Sequence, residues 1–489
     1  MTTDCMMNQF VTKPLLLFLL GGVTSLVVHA TNAATSILVD TTATTHPPRS
    51  ETTIIPATIS IEDAVRIALE ESTSVLVGQM DIEKEQYSYK SAVAQLFPSI
   101  NMQGSYGYTI KKQVMYLDGF PGASAMPSEM ASKGIEVGRS HNIQAGLSVG
   151  LPLINASLWK SISISKENVQ LALERAQSSK VNKVAEVRKA FLQALLAEDS
   201  YQVLRQSYAN ARTNYQLVEN NFKQGLVAQY DLLRSEVQVK NLEPNLLQAD
   251  DARQMARRSL LVLMGLSPDA PIMLKGSLKD FAPEVLRQYV EAENDPLEDN
   301  PTLRELSVQR NLVTHALDLK KLAFLPTLSL SGAYNYTFSS NDFKLNNSKL
   351  WTPYSVVNLS LSIPLFTGGR RIYDLKGQKL SLMQFDLNAR DAERKVSIAY
   401  GEAKDRLRRS ARTYSVSEGA ITTAEQGYMI ASKRFETGEG TLLEVNDADL
   451  SLLQARLNYH QSIYNFLVAR TDLDQLTGKG VPEETTKKK

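Results

Sequence analysis

Hydrophobic and polar residues alternate along several short segments of this chain. In residues 327–338, Leu328, Leu330, Tyr334 and Tyr336 share one parity, and mostly Ser, Thr and Asn lie between them. Successive side chains of an extended backbone point to opposite sides, so this pattern predicts strands with one apolar side. The apolar positions of the four predicted strands are Met102, Tyr106 and Tyr108, then Ile143, Ala145, Leu147 and Val149, then Leu328, Leu330, Gly332, Tyr334, Tyr336 and Phe338, and finally Val357, Leu359, Leu361 and Ile363.

These strands predict two β-hairpins, at 99–149 and 327–363. A segment with apolar residues at helical spacing precedes each hairpin, Ile61–Gln95 before the first and Thr302–Phe324 before the second. Each segment is expected to be one helix, because proline follows it and disfavours continuation. Alternation over about ten residues, with tyrosines toward one end, is typical of membrane barrel strands.

Long helical segments follow the hairpins. Residues 157–264 and 372–477 are each predicted to form a hairpin of two long helices, turning near Gly225 and Gly438. A first helix of about 64 residues would be a rod of about 95 Å. In the last helix a coiled-coil seam is predicted at Leu450, Leu453, Leu457, His460, Tyr464 and Leu467.

The two halves of the chain share this order of elements. NFKQGL at 221–226 corresponds to RFETGE at 434–439, and LMGL at 263–266 to LTGK at 476–479, both at an offset of 213 residues. Such self-similarity predicts an internal duplication. The predicted organisation is repeat 1 at 61–265, an inter-repeat equatorial segment at 266–300 and repeat 2 at 301–478.

The ends of the chain differ from its body. Residues 1–30 contain a short apolar run after Lys13, which predicts a cleaved signal peptide and export. The threonine-rich segment 31–60 is expected to be extended, and the C-terminal tail 479–489 to be extended or disordered. The single cysteine, Cys5, precedes the apolar run, so the exported chain is expected to have neither a disulfide nor a lipid anchor.

The formal net charge of +1 gives no general attraction to nucleic acid, and none is predicted as a partner. The five histidines lack metal-ligand spacing, and His460 is expected to be a packed imidazole. The chain also lacks a phosphate-binding glycine loop and a nucleophile motif. We therefore predict no enzyme activity, no cofactor and no metal site.

The joint between strand and helix is the most distinctive short motif. In LSLSIPLFTGGRR, residues 359–371, an alternating strand ends at Pro364, and Gly368 and Gly369 allow the backbone to turn before a long helix. Pro152 occupies the matching place in the first repeat. This sequence favours a strand in lipid that becomes a helix in water.

The predicted fold class is an α+β membrane protein. Four strands are too few to close a barrel without a free edge, whereas three chains would supply twelve, so the residues favour a trimeric twelve-stranded barrel in lipid continued by long coiled-coil helices in water. The alternative is a non-conducting trimeric periplasmic scaffold, in which the sheets pack on each other. A membrane location would distinguish the two.

The sequence resembles the TolC family of outer-membrane efflux ducts over nearly the whole mature chain. The resemblance is carried by the duplication and by several segments in order. They are FPSINMQGSYGY, LPLINASLWK, NFKQGLVAQYDLL, LPTLSLSGAYNY, IPLFTGGRR and RFETGEGTLLEVNDADLSLLQARLNY.

The resemblance implies a homotrimer in the outer membrane of a Gram-negative-type bacterium, with a large periplasmic part. Such a duct docks with a periplasmic adaptor protein and an inner-membrane pump, and conducts small molecules or proteins outward. The adaptor would contact the turns of the helical hairpins, at Gly225, Leu226, Gly438 and Glu439.

The resemblance also implies a periplasmic aperture. Glu444 and Asp447 match acids that ring the entrance in the family, and Asp231 matches an acid at the first turn. Phe435 stands where a closing tyrosine is common, and Gly440 where a closing arginine is known. From the residues alone, Glu444 and Asp447 would share one helix face, and their alternative role is to stabilise the helix start.

Overall fold

A computed structural model of the chain describes residues 58–116, 135–292, 296–297 and 299–481. The predicted signal peptide lies outside the described residues, as do most of segment 31–60 and most of the tail. The helices are α1 (Ile61–Glu71), α2 (Thr73–Ala94), α3 (Ala156–Lys223), α4 (Gln229–Leu263), α5 (Val285–Ala292), α6 (Pro301–Leu322), α7 (Arg370–Glu436) and α8 (Leu442–Leu476). The strands are β1 (Thr58–Ile59), β2 (Ser99–Tyr108), β3 (Gln113–Met115), β4 (Ile135–Val137), β5 (His141–Ile154), β6 (Met273–Leu274), β7 (Thr327–Ser340) and β8 (Trp351–Ser362).

Four of the strands form one antiparallel sheet in the order β2–β5–β7–β8. The two predicted hairpins are therefore joined side by side through β5 and β7. Strands β2 and β8 lie at the edges and have no further strand partner among the described residues of the protomer. Unpaired edges of this length favour pairing with another chain.

The register places the alternating patterns of all four strands on the same sides of the sheet. Met102 lies opposite Leu147, Leu147 opposite Tyr334, and Leu330 opposite Leu359. Directly opposed residues share a side, so the apolar positions form one continuous surface, which we call the apolar side. The other side carries Asn101, Gln103, Gln144, Ser148, Ser329, Ser331, Asn335, Asn358 and Ser360.

Two long helical hairpins extend from the sheet. Helices α3 and α4 pack along each other, as do α7 and α8, and α3 also contacts α8. The first helices contain 68 and 67 residues, which corresponds to about 100 Å each. No helix in the described part of the chain combines the length and the apolar character needed to cross a bilayer.

The helix predicted at Ile61–Gln95 is wrong in one respect, because the chain breaks at Ser72. This residue has an extended backbone, with ψ 126°, and separates α1 from α2. Helix α1 begins with a capping box. The Asp63 N–H donates to Ser60 Oγ, and the Ser60 N–H donates to Asp63 Oδ2. Apolar spacing on both sides of Ser72 hides the break, which is set by packing rather than by local propensity.

The hydrophobic core lies at mid-height of the helical part. It contains the centre of α3, around Phe191 and Leu195, together with α1, the end of α4 and the second half of α8. Leu278 and Val285 of the inter-repeat segment are fully buried in the same core. This segment therefore fastens the two helical hairpins together.

The seam predicted in α8 has the wrong register. Leu450 is 58% exposed, and neither Leu453 nor Leu457 is buried, although His460 and Leu467 are. The buried positions that recur at steps of three, four and seven are Val445, Asp449, Leu452, Tyr459, Ile463, Phe466 and Leu473. Helix α8 contacts α3, α7 and the inter-repeat segment, so more than one stripe of its surface is covered.

Candidate functional site

Three places carry the residues singled out by sequence: the joint after β8, the two hairpin turns, and the acids that follow the second turn. At the joint, Gly368 and Gly369 have φ values of +60° and +82°, and α7 begins at the next residue. Only glycine adopts this conformation without strain. Leu365 and Phe366, just before the glycines, are 91% and 86% exposed.

At the matching joint Pro152 lies within β5, which continues to Ile154, and Asn155 caps α3, so this joint is shorter than the one after β8. Strand β2 pairs with β5 only as far as Gly150, so Pro152 has a neighbouring strand on the β7 side alone. A proline is tolerated where its missing N–H faces no strand. The register shift between Pro152 and Ile154 then leads into the helix.

The turn between α3 and α4 is closed by backbone hydrogen bonds. The Leu226 N–H donates to the Asn221 carbonyl at 2.9 Å, and Gly225 has a φ of +73°. This is the Schellman arrangement, in which a left-handed glycine ends a helix. Leu226 is 69% exposed at the tip, so it presents an apolar side chain to the surroundings.

The turn between α7 and α8 repeats this geometry. The Glu439 N–H donates to the Arg434 carbonyl at 2.8 Å, and Gly438 has a φ of +80°. Gly440 folds back on the helix end, where a Cβ would lie 3.0 Å from the Cβ of Arg434 and 3.1 Å from the Phe435 nitrogen. A larger residue at 440 would therefore need the turn to shift.

Glu444 and Asp447 lie in the first two turns of α8 and are both exposed. Thr441 caps this helix by accepting from the Glu444 N–H at 3.3 Å. The two carboxylates differ in their surroundings. Arg434 Nη1 lies 3.3 Å from Glu444 Oε2, whereas no cation of the described residues lies within 4 Å of the Asp447 carboxylate.

Arg434 was not singled out by sequence. Besides pairing with Glu444, its Nη2 donates to the Glu439 carbonyl at 3.2 Å, so its guanidinium spans the turn. In the sequence Arg434 stands six residues before Gly440. This spacing gains a meaning only in the structure, where the closed turn brings the two residues together. Asp231 lies in the first turn of α4, and Phe435 is half-buried at the end of α7. No hydrogen bond or ion pair joins the two turns within the described chain.

Asp449, also missed by sequence, is a buried acid just beyond this group. It is 6% exposed, and its carboxylate accepts from Ser207 Oγ at 2.9 Å and from Asn210 Nδ2 at 3.4 Å. Burial raises the pKa of the Asp449 carboxyl, against the lowering effect of these two hydrogen bonds. The contact joins α3 of one hairpin to α8 of the other.

A second buried acid ties the helices together at the level of the core. Asp199 accepts from the Leu278 N–H at 2.9 Å and from Ser277 Oγ at 3.1 Å. His460 is buried beside it, with Nδ1 3.2 Å from Asp199 Oδ2, although the two are not aligned as a hydrogen bond. Within the described ranges, no group of three or more His, Cys, Asp or Glu side chains could hold a metal ion.

Comparison with known proteins identifies this arrangement. The sequence profile described as "Outer membrane efflux protein" matches residues 64–266 and 294–479, which is most of the chain. The chain belongs to the outer membrane efflux protein family. The resemblance to TolC-type proteins seen in the sequence is thereby confirmed, and the protein is an outer-membrane protein with a large periplasmic part.

Individual members of the family are distant in sequence. The outer membrane protein TolC of Vibrio cholerae is 22% identical over 337 residues, 69% of this chain and 76% of that protein. The alkaline protease secretion protein AprF of Pseudomonas aeruginosa is 23% identical over 66% of this chain and 67% of its own length. The Campylobacter jejuni CmeC outer membrane channel superposes with a TM-score of 0.67 at 14% identity, covering 87% of this chain and 88% of that chain.

Proposed function

We propose that this protein is one subunit of a homotrimeric exit duct, in which three copies of the sheet close a twelve-stranded barrel and the helical hairpins continue it as a tunnel. The observation that carries the proposal is the register, which places apolar side chains on one side of all four strands. The edges β2 and β8 would pair between neighbouring copies, because closure removes free edges. The internal duplication would then give the tunnel a nearly sixfold wall.

The alternative is a non-conducting periplasmic scaffold. It requires the sheets of neighbouring copies to cover each other's apolar side, where Met102, Val357, Leu359 and Leu361 are 79%, 76%, 65% and 62% exposed in the protomer. Contact with lipid would cover the apolar side. Membership of the outer membrane efflux protein family supports the duct over the scaffold.

The duct would be passive, with the transport energy supplied by a partner. The turns at Gly225–Leu226 and Gly438–Glu439 are the exposed ends of the helical hairpins, and they would contact the tips of a periplasmic adaptor. An inner-membrane pump would deliver the cargo. Similar proteins include one named for alkaline protease secretion and another for cobalt–zinc–cadmium resistance, so the proposed class includes protein and small-ion export.

The electrostatics of the entrance would depend more on Asp447 than on Glu444. Arg434 compensates Glu444 within its own chain, whereas threefold symmetry would gather three Asp447 carboxylates, together with those of Asp231, that have no cation within 4 Å among the described residues. A ring of like charges in a narrow passage concentrates cations. Asp231 and Phe435 would line the same aperture from the two hairpins.

Conductance in planar bilayers tests the function and the entrance together. We expect the purified trimer to form discrete channels that a trivalent cation, La³⁺, blocks from the periplasmic side. Asp447→Asn should raise the half-blocking concentration about tenfold, since it removes the uncompensated charge, whereas Glu444→Gln should change it by less than about threefold.

Glu436→Gln is the matched control, because Glu436 is an exposed acid near the same turn that pairs with Lys433. It should leave the block unchanged. Absence of any conductance from a correctly folded trimer would contradict the duct. Equal effects of Asp447→Asn and Glu444→Gln would contradict the role assigned to Arg434.

A further inference from the structure

The end of the sheet farthest from the helices carries an aromatic cluster on the apolar side. Tyr106 Oη lies 3.0 Å from His141 Nδ1, and the Tyr108 ring lies 5.0 Å from that imidazole. Phe343, from the β7–β8 loop, contacts both Tyr106 and His141 with ring centroids 5.8 and 5.1 Å away. Aromatic rings with a polar edge are typical of the level where acyl chains meet headgroups.

The β7–β8 loop also packs against the ends of the two strands that it connects. Trp351 stacks on Tyr336 and packs against Phe338, with centroid distances of 5.6 and 5.3 Å. Its indole Nε1 donates to the Leu345 carbonyl at 3.1 Å, which holds the loop against the strands, and Phe338 is fully buried. The loop residues 341–350 are therefore placed at the border of the apolar side.

Basic residues follow or precede the strands at the same end of the sheet as the aromatic cluster. Lys111, Arg139, Lys344 and Lys349 are all exposed, and Lys112 lies beside them in sequence. The acids of the described loops are Glu136, 3.8 Å from Lys112, and Asp342, 3.4 Å from Lys344. Within the described residues, Lys111, Arg139 and Lys349 have no acidic partner within 4 Å.

We propose that this basic border, Lys111, Arg139 and Lys349, binds the phosphate groups of a phosphorylated glycolipid in the outward-facing leaflet. The proposal rests on the proposed barrel, which places the loop end of the sheet at the outer surface. Charge complementarity selects an anionic headgroup, and the adjoining aromatic rings and exposed apolar side select one that carries acyl chains. Lysine and arginine at a membrane surface each favour anionic lipid by an amount that accumulates over a cluster.

Threefold symmetry would repeat the basic border around the barrel, giving nine cations that have no acidic partner among the described residues. Lipid phosphates bridged to these cations would form a ring that anchors the barrel at a fixed depth. All three cations lie next to strands at this end of the sheet: Lys111 before β3, Arg139 before β5 and Lys349 before β8. The exposed cations, the aromatic cluster and the apolar side therefore all favour a lipid with a phosphorylated headgroup.

Binding of lipid A by the purified full-length trimer in detergent tests the proposal. We expect diphosphorylated lipid A to bind about tenfold more tightly than its enzymatically dephosphorylated form. The triple variant Lys111→Gln, Arg139→Gln, Lys349→Gln should lose this preference. The control triple variant Lys84→Gln, Lys223→Gln, Lys240→Gln removes three exposed cations from the helices and should retain it.

Each other outcome overturns the proposal. These are equal affinity for the two lipids, a loop variant that binds like the natural protein, and displacement of lipid A by millimolar inorganic phosphate, which would indicate a small-anion site. Trimer formation and conductance are measured on the same samples. A conducting trimer without phosphate preference refutes only the lipid site, whereas failure to form a conducting trimer refutes the proposed duct.

Discussion

Replacing Leu359 by arginine is expected to prevent stable assembly in the outer membrane. Leu359 lies three residues before the end of β8, is 65% exposed on the apolar side, and pairs with Leu330. An arginine facing lipid costs about 2–4 kcal/mol at the bilayer midplane and less toward the interfaces, and a trimer would incur this cost in each copy. The measurement is the fraction of chain recovered as detergent-resistant trimer in the outer-membrane fraction.

Ser360→Arg is the matched control for this substitution. Ser360 is the next residue of the same strand, equally accessible in the protomer, but it lies on the polar side opposite Ser329. Arginine there would face water in the barrel, so trimer recovery should stay near that of the natural protein. If both variants assemble, or if both fail equally, the assignment of the two sides is contradicted.

Gly265→Ala is expected to cause a large loss of stability in the helical part. Gly265 ends α4 with a φ of +80°, and a Cβ there would lie 2.7 Å from the Glu71 carbonyl oxygen. The left-handed conformation costs an alanine about 1–2 kcal/mol, and displacing the packed backbone of α1 adds about 1–3 kcal/mol. Thermal unfolding followed by circular dichroism measures the sum.

Gly225→Ala separates the two contributions. Gly225 ends α3 with a similar φ of +73°, but a Cβ there has no neighbour within 4 Å. Only the conformational cost of about 1–2 kcal/mol should remain. A Gly265→Ala variant no less stable than Gly225→Ala would show that the contact between the end of α4 and Glu71 does not constrain the fold.

The strands and hairpin turns were accessible from sequence because their signals are local. Alternation in 327–338 depends only on the two-residue period of extended backbone, and Gly225 and Gly438 are needed for a left-handed helix end whatever surrounds them. The helix predicted to begin at residue 372 begins two residues earlier, at Arg370, because Gly369 already caps it. These features need no knowledge of the tertiary structure.

The break at Ser72 and the end of β5 were not accessible in this way. The turn at Gly265 packs against the Glu71 carbonyl, although the two residues are nearly two hundred positions apart in sequence. A proline at position 152 is tolerated within β5 because β2 pairs with β5 only as far as Gly150. The seam of α8 was placed wrongly for the same reason, since three different neighbours decide which of its stripes is covered.

The candidate entrance was predicted in part. Glu444 and Asp447 share a helix face by spacing alone, but their difference comes from Arg434, which reaches Glu444 only after the turn closes. Asp449 follows the two acids in sequence and resembles them, yet it points into the contact between α3 and α8. Residue type and spacing therefore identify an acidic segment, and packing assigns each acid its surroundings.

The central claim is that one side of the sheet contacts lipid and the other water. Single cysteines at positions 357–362, in a chain with Cys5 replaced by serine, can carry a fluorophore in reconstituted trimers. Quenching by nitroxide-labelled lipid should be strong at 357, 359 and 361 and weak at 358, 360 and 362, with the reverse order for a water-soluble quencher. Uniform quenching along the strand, or strong aqueous quenching at both parities, would contradict the account.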